Sequence, residues 1–443
     1  MLTTLKNNRS LTFYQSVDDK VKMKCSSAYA GGILSVPIAD TAFAAQIYTT
    51  KVNQAFLELK TFVIRRGMQY ANNTIASRGG YMAEDFVAGS YNLDAVIKGK
   101  TPSARVPALN KNGSADVVYD GGRQAGLKFY SDAKSSAKAQ TAPKYEGQDR
   151  IVPADHVDGA KKELGNMIDK NIKKGRTDAA RIQQEAKDRI TDRICGDNGV
   201  ESTPLTKKQS LDMAKSIEKD ENGQIASNKI NKILKETGTT RKVNHAILKN
   251  ELSGLGLAVA IGAGIGLTIG FITTLAQTGV TPDSLKIAVA EGAKAGVESG
   301  SLAAVSYGIG RTLGEVATKA ITGTMQNLGI GISENMIKMV NMGVVGTMTT
   351  IVFSVYQFIK LKLNGVETRE ALIQVGKQAL FSMSLLAVSI AAQGIWGGAA
   401  GIIVSISIGI IMIIYAVGDA VHQRHIAEEI RVYTINECYP AFA

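Results

Sequence analysis

Asp116 and Lys128 are the residues whose types and spacing come closest to phosphoester chemistry in this chain. An aspartate offers the oxygen ligand that a hard divalent cation takes. A lysine offers positive charge to a phosphate or helps orient an attacking water. The segment between them has the pattern of a hairpin. Residues 115–119 read as a strand, residues 120–123 (Asp-Gly-Gly-Arg) as a tight turn, and residues 124–130 as the returning strand. Side chains alternate along a strand, so Asp116, Val118 and Asp120 share one face. Gln124, Gly126 and Lys128 share a face of the return. The opposite faces carry Val117 and Tyr119, then Ala125, Leu127 and Phe129. Upstream, Glu84 and Asp85 fall in a short predicted helix over 81–88, with Asp85 about a quarter turn from Glu84.

Directly after the second strand come Lys134, Ser135, Ser136 and Lys138. Hydroxyls and ammonium groups in one short run suit a nucleic-acid backbone, and the start of a solvated helix accounts for them equally well. Other chemistries find little support. There is no Walker P-loop and no GxSxG elbow, and the spaced glycines at 262–270 lie in too apolar a run for a dinucleotide fingerprint. Cys25, Cys195 and Cys438 are scattered and odd in number, which speaks against a disulfide framework or a zinc site. His422 and His425, three apart on a predicted helix, read as a solvated face before a metal site.

A strand acid, a short turn and a strand lysine on one face, preceded by a helix acid, resembles the PD-(D/E)XK, or restriction-endonuclease-like, nuclease core. The resemblance covers residues 45–160. It implies that Asp116 is the strand acid, Lys128 the lysine that assists the attacking water, and Glu84 the helix acid. Glu84 and Asp116 would hold Mg²⁺, and DNA would be the substrate. The chain departs from the pattern two residues before the lysine, where an acid or Gln is expected and Gly126 stands. Gln124, one pleat further away, is the candidate substitute.

For these groups to meet, a helix and a hairpin must pack around a common core. Residues 42–77 carry Val52, Phe56, Leu59, Val63 and Tyr70 at helical spacing, and Gly79-Gly80 is expected to end that helix. Residues 1–30 are expected to be loose, and residues 91–112 look irregular. Residues 157–250 are charged and helical, with Ile168, Ile172, Ala179, Ile182, Ala186 and Ile190 on one stripe, and read as a connector. The apolar stretch 28–45 begins late and contains Pro37 and Asp40, which argues against a cleaved signal. The whole net charge of +12 falls before Ser253; from there on, 11 basic residues match 11 acidic ones. Such a surplus suits a polyanion or an anionic membrane face.

At Gly254 the composition changes. Residues 254–277 hold no charge over 24 positions, long enough to cross a hydrocarbon core of about 30 Å. Gly262, Gly266 and Gly270 lie four apart on one face, where a second helix can approach closely. A partner copy in that place would make a homo-oligomer. Residues 340–359 form a second uncharged run, and residues 378–418 a third, long enough for two helices broken near 393–398. Residues 284–324 are amphipathic and belong on the membrane surface or against the bundle. The loop 360–377 is richer in Lys and Arg than residues 279–339. That bias puts the loop, the N-terminal half and the C-terminal tail on the cytoplasmic side of a bacterial inner membrane. A water-soluble bundle that hides these helices is the competing arrangement.

The expected fold is an N-terminal segment (1–44), an α/β or α+β nuclease-like domain (45–160), a charged helical connector (161–252) and an all-α, Gly-rich transmembrane region (253–443). The expected function is a membrane-anchored, Mg²⁺-dependent nuclease acting on DNA, suited to defence against incoming phage or mobile DNA. One alternative is a membrane-active effector or pore component. Another is a DNA-delivery or virion-associated membrane protein that binds nucleic acid without cutting it.

Overall fold

The structure, a computed structural model, describes residues 27–108, 113–217, 227–396 and 398–433. Residues 1–26, Cys25 among them, and Cys438 lie outside the described residues. Packing divides the chain into two units. One is Tyr48–Asn250, and the other combines the described parts of Met1–Ile47 and Glu251–Ala443.

The unit Tyr48–Asn250 is α/β. It takes up the chain within α1 (Ser27–Gln69) and continues with α2 (Ile75–Ile97) and the hairpin β1 (Val117–Tyr119) and β2 (Arg123–Leu127). Then follow α3 (Ala133–Ala139), β3 (Asp149–Ile151), α4 (Val157–Lys173), α5 (Thr177–Arg189), β4 (Ile190–Thr191), α6 (Lys207–Lys215) and α7 (Ser227–Glu236). The strands form one sheet in the order β1-β2-β3-β4, antiparallel in the hairpin and parallel after it. Gly121 and Gly122 turn the hairpin at φ of 66° and 106°, a region that a Cβ disfavours. Alternation along the strands sets the layers. Val117, Tyr119, Ala125 and Ile151 pack with Leu59, Met82, Phe86 and Met213 in one core. Val152, next to Ile151, joins Ala137, Leu164, Ala186 and Ile190 in a second.

Several expectations change here. Residues 161–250 are not a separate connector: β4 completes the sheet, and Met213 of α6 shares the core of the hairpin. Of the predicted stripe, Ile168, Ala186 and Ile190 are buried, whereas Ile172 is exposed. Gly79-Gly80 does not end a helix. The break falls at residues 70–74, and Thr74 caps α2 by accepting the Ser77 N–H. Gly79 belongs inside α2 because α6 lies against it. A Cβ there would come within 3.0 Å of the Ser210 carbonyl oxygen, and Ser210 Oγ donates to the Gly79 carbonyl at 2.8 Å. Helix α2 runs on to Ile97, where Asp94, fully buried, takes Lys98 Nζ and Lys242 Nζ at 2.7 Å each and the Glu201 N–H at 2.8 Å.

The other unit is all-α. It holds α1 as far as Ile47, α8 (Thr239–Thr278) from Glu251, α9 (Pro282–Ile309), a π-helical turn at Gly310–Gly314, α10 (Glu315–Asn327), α11 (Glu334–Leu363), α12 (Thr368–Trp396) and α13 (Gly398–Tyr433). Helices α1, α8, α11 and α12 are long and apolar enough to cross a membrane, and α13 carries a shorter apolar stretch, Ala400–Met412, among its described residues. Outward positions such as Leu257, Ile351, Val355, Leu380 and Ile403 are exposed. Lipid suits such a surface, and a water-soluble bundle would cover it.

Residues 27–47 depart furthest from expectation. Pro37 and Asp40 do not interrupt the helix. Every residue from 30 to 39 is buried, with Ile33, Leu34 and Ile38 packed among Ile265, Leu302, Phe353 and Leu385. The glycine face of α8 is filled from within the chain. A Cβ on Gly262 would lie 2.8 Å from the Ser299 carbonyl oxygen, and one on Gly270 would lie 2.9 Å from Gly292 Cα. Residues 284–324 thus supply the close partner through α9.

Gly266 and Gly264 give the test of that seam. A Cβ on Gly266 would collide with Ala295 and Ser299, whereas Gly264 has nothing within 4 Å. Gly266→Leu should destabilise the protein by about 1–3 kcal/mol or more. Gly264→Leu should be neutral or stabilising, because leucine favours helix over glycine. Thermal midpoints in detergent read the difference, and equal midpoints would mean the seam is not made.

Candidate functional site

The hairpin and α2 bring three of the expected residues together. Asp116 immediately precedes β1 and Lys128 immediately follows β2, so the register pairing Val117 with Ala125 sets them near each other. Lys128 Nζ lies 3.0 Å from Asp116 Oδ2, and the same oxygen accepts the Leu127 N–H at 2.6 Å. The Lys128 ammonium also sits 4.7 Å from the centre of the Tyr145 ring. Glu84, on the buried side of α2, lines a cavity of about 780 Å³ together with Asp116 and Lys128. Thr74, Ser77, Tyr81, Ser131 and Lys207 are also in its wall.

The charges in this cavity act on one another. Burial pushes the Glu84 carboxyl up to about 8, and the nearby charge of Asp116 adds to that effect; Arg66 and Lys128 oppose it. Glu84 is therefore largely protonated at neutral pH. Burial also raises Asp85, against its ion pair with Arg66. Burial works to lower Lys128, but Asp116 and Tyr145 outweigh it and hold the ammonium above its ordinary range. Lys207 is lowered by burial, which Asp155 opposes, and its Nζ donates to the Phe129 carbonyl at 2.5 Å.

Other expected residues fall elsewhere. Gln124 is exposed, pairs with Val118, and is not in the cavity wall. Position 126, where the acid is missing, is closely approached by two glutamines. A Cβ on Gly126 would lie 3.0 Å from Gln148 Oε1, and Gln140 donates to the Gly126 carbonyl at 2.9 Å. Gln140 and Gln148 are both buried. No strand or helix pattern points to them, nor to Lys207 on α6. The run at 134–138 splits apart on α3. Ser136 is buried with its Oγ 3.2 Å from His156 Nδ1, and Ser135 is bonded to the capping Asp132. Lys134 and Lys138 remain exposed. Among the described residues no three His, Cys, Asp or Glu side chains gather as a metal site, so this cavity offers two carboxylates.

The shifted Glu84 carries a pH dependence. Its folded value, about 8, stands above the ordinary carboxyl value of 4.5. The fold therefore favours the protonated form. That contribution is fully present below pH 4.5 and is lost as pH rises through 8. The thermal midpoint of the full chain in detergent should fall over that window, by the equivalent of a few kcal/mol. Glu84→Gln, which cannot ionise, should flatten the decline, and an unchanged decline in that variant would place the titrating group elsewhere. Comparisons with family models, with curated proteins and with solved structures find no match to this chain, so the chemistry of the cavity is read from its own side chains.

Proposed function

We propose that this chain is a membrane-anchored, metal-dependent nuclease of the PD-(D/E)XK type that acts on DNA. The observation that carries this reading is the convergence of Glu84, Asp116 and Lys128 on one cavity, from a helix and from the two open ends of a hairpin. The donor set fits Mg²⁺. That ion is commonly held by one or two carboxylates, with water and substrate phosphate completing its shell. Glu84 and Asp116 are oxygen ligands, and the charge of Asp116 adds to the burial that keeps Glu84 protonated, an effect that a bound cation would oppose. When bound, the ion would activate water and neutralise charge on the phosphate.

The chain's own groups have separate tasks. Lys128, kept charged by Asp116, presents an ammonium to the phosphate oxygens or the attacking water. The hydroxyls of Thr74 and Ser77 in the wall can donate to the phosphodiester backbone. The basic surplus before Ser253 draws a polyanion toward the unit. The apolar helices would anchor the protein in the bacterial inner membrane with the basic half in the cytoplasm. There it would meet phage or mobile DNA as it enters.

Plasmid cutting by the purified full chain tests this. The parent should cut with Mg²⁺ or Mn²⁺ and not with chelator. Asp116→Ala should cut at least about 100-fold more slowly, beyond the 10- to 100-fold typical of losing a supporting partner. Glu84→Ala should be intermediate. Lys128→Ala should lose cutting while still retaining DNA in a filter-binding assay, and Gln124→Ala should match the parent. A parent that never cuts, or an Asp116→Ala variant as fast as the parent, removes the nuclease reading.

A further inference from the structure

Helices α4 and α5 form a hairpin whose tip concentrates charge. Helix α4 turns through Lys174, Gly175 and Arg176 into α5. Gly175 takes a φ of 66°, which reverses the chain without strain. The turn is closed by hydrogen bonds. The Asn171 carbonyl accepts the N–H groups of Lys174 at 3.1 Å and Arg176 at 2.9 Å. Asn171 Nδ2 donates across the helix pair to Gln183 Oε1 at 2.9 Å. Below the turn, Ala160 and Leu164 of α4 pack with Ala186 of α5 in one core. The tip therefore stands on a packed base.

Lys170, Lys173, Lys174 and Arg176 crowd this tip, and all four are exposed. None of them forms an ion pair among the described residues, whereas Arg181 and Arg189 of α5 are paired with Glu146 and Glu185. Over residues 169–178 these four cations stand against Asp169 and Asp178, a surplus of +2. Lys170 and Lys173 in the last turn of α4, and Lys174 at its end, sit where a helix favours positive charge. Arg176 does not. It is the N-cap of α5 and makes no side-chain capping bond, at the end where a helix disfavours a cation. The positive face continues down α4. Lys162, Asn166, Lys170 and Lys173, spaced four, four and three apart, share one helix face and are exposed. At about 1.5 Å per residue that row is about 17 Å long, which spans several phosphates of a duplex. Ile172 is the only large apolar side chain exposed on α4 and α5 among the described residues, too little for a helix that lies in a lipid interface.

We infer that the α4–α5 hairpin is a docking surface for duplex DNA, with Lys162, Lys170, Lys173, Lys174 and Arg176 on the backbone phosphates. Contacts of this kind position a duplex and read no base sequence. The inference rests on the DNA reading above. It is separate from cutting, because it requires neither a metal nor the groups in the cavity.

The test uses the full chain in detergent with chelator present, and a short fluorescent duplex whose binding is followed by anisotropy as KCl is raised. Each phosphate contact contributes about 0.9 to the slope of log affinity against log salt. Lys170→Gln, Lys173→Gln, Lys174→Gln and Arg176→Gln combined should therefore lower the parent's slope by about 3 to 4. The thermal midpoint should stay at the parent's, because all four side chains are exposed. Should the combined variant fail to fold, Lys174→Gln alone should lower the slope by about 1. Lys229→Gln, Lys232→Gln and Lys235→Gln combined, on the exposed side of α7, should leave the slope unchanged. A folded tip variant with the parent's slope, or an equal loss in the α7 variant, overturns the inference and leaves metal-dependent cutting by the parent untouched. A parent that binds no duplex even at low salt removes the DNA reading and this inference with it. Short-chain phosphatidylglycerol, titrated by calorimetry at the same salt, supplies the lipid comparison. A tip variant that loses that lipid yet keeps the parent's DNA slope makes the tip a membrane contact and overturns the inference.

Discussion

A helix can be buried on every side only when other helices surround it, and residues 30–39 of α1 are buried without interruption. That single condition organises the helical unit. The surrounding helices must come close to a backbone that carries Gly31, Gly32 and Ser35, and they do so with Gly346, Ser382 and Gly409. Helices α8 and α9 are held together by the glycine seam, and both add side chains to the same core. Phe353 of α11 and Leu385 of α12 pack inward against that helix, whereas Ile351, Val355, Leu380 and Val388 of the same two helices face outward. Outward side chains of that kind are compatible with lipid.

In the α/β unit the controlling effect is charge in a partly dry place. A surface Asp–Lys pair across two strands contributes at most about 1 kcal/mol. Asp116 and Lys128 are only 12% and 15% exposed, with a buried carboxyl beside them. Desolvation penalises such a cluster, and its mutual attraction repays the penalty only in part. Groups held in that state are characteristic of sites that act on something. The two glutamines behind Gly126 are bonded to backbone carbonyls of Gly113, Gly126 and Ile151 and hold that side of the hairpin in place.

Local signals were legible where a local cause decides. The hairpin at residues 117–127 follows from alternation and from two glycines that can take positive φ. The long uncharged runs and the break between α12 and α13 follow from composition. The pairing of Asp116 with Lys128 follows from the register that the turn imposes. Gly79 shows the limit. Two adjacent glycines resemble a helix end, yet here one of them makes room for Ser210, a neighbour that no local pattern reveals.

What the sequence determined by itself was therefore the type of each element and the chemistry each could bring: a basic α/β half, an apolar helical half, and an acid and a lysine on one hairpin. Tertiary structure decided which elements share a core and which groups share a cavity. It drew residues 161–250 into the sheet domain, moved residues 27–47 into the helical bundle, set Gln140 and Gln148 behind Gly126, and added Lys207 to the cavity wall. The physical reason is one of range. Propensity, periodicity and turn chemistry act over a few residues, whereas burial depends on surfaces from distant parts of the chain meeting, as when Lys338 of α11 pairs with Asp40 of α1.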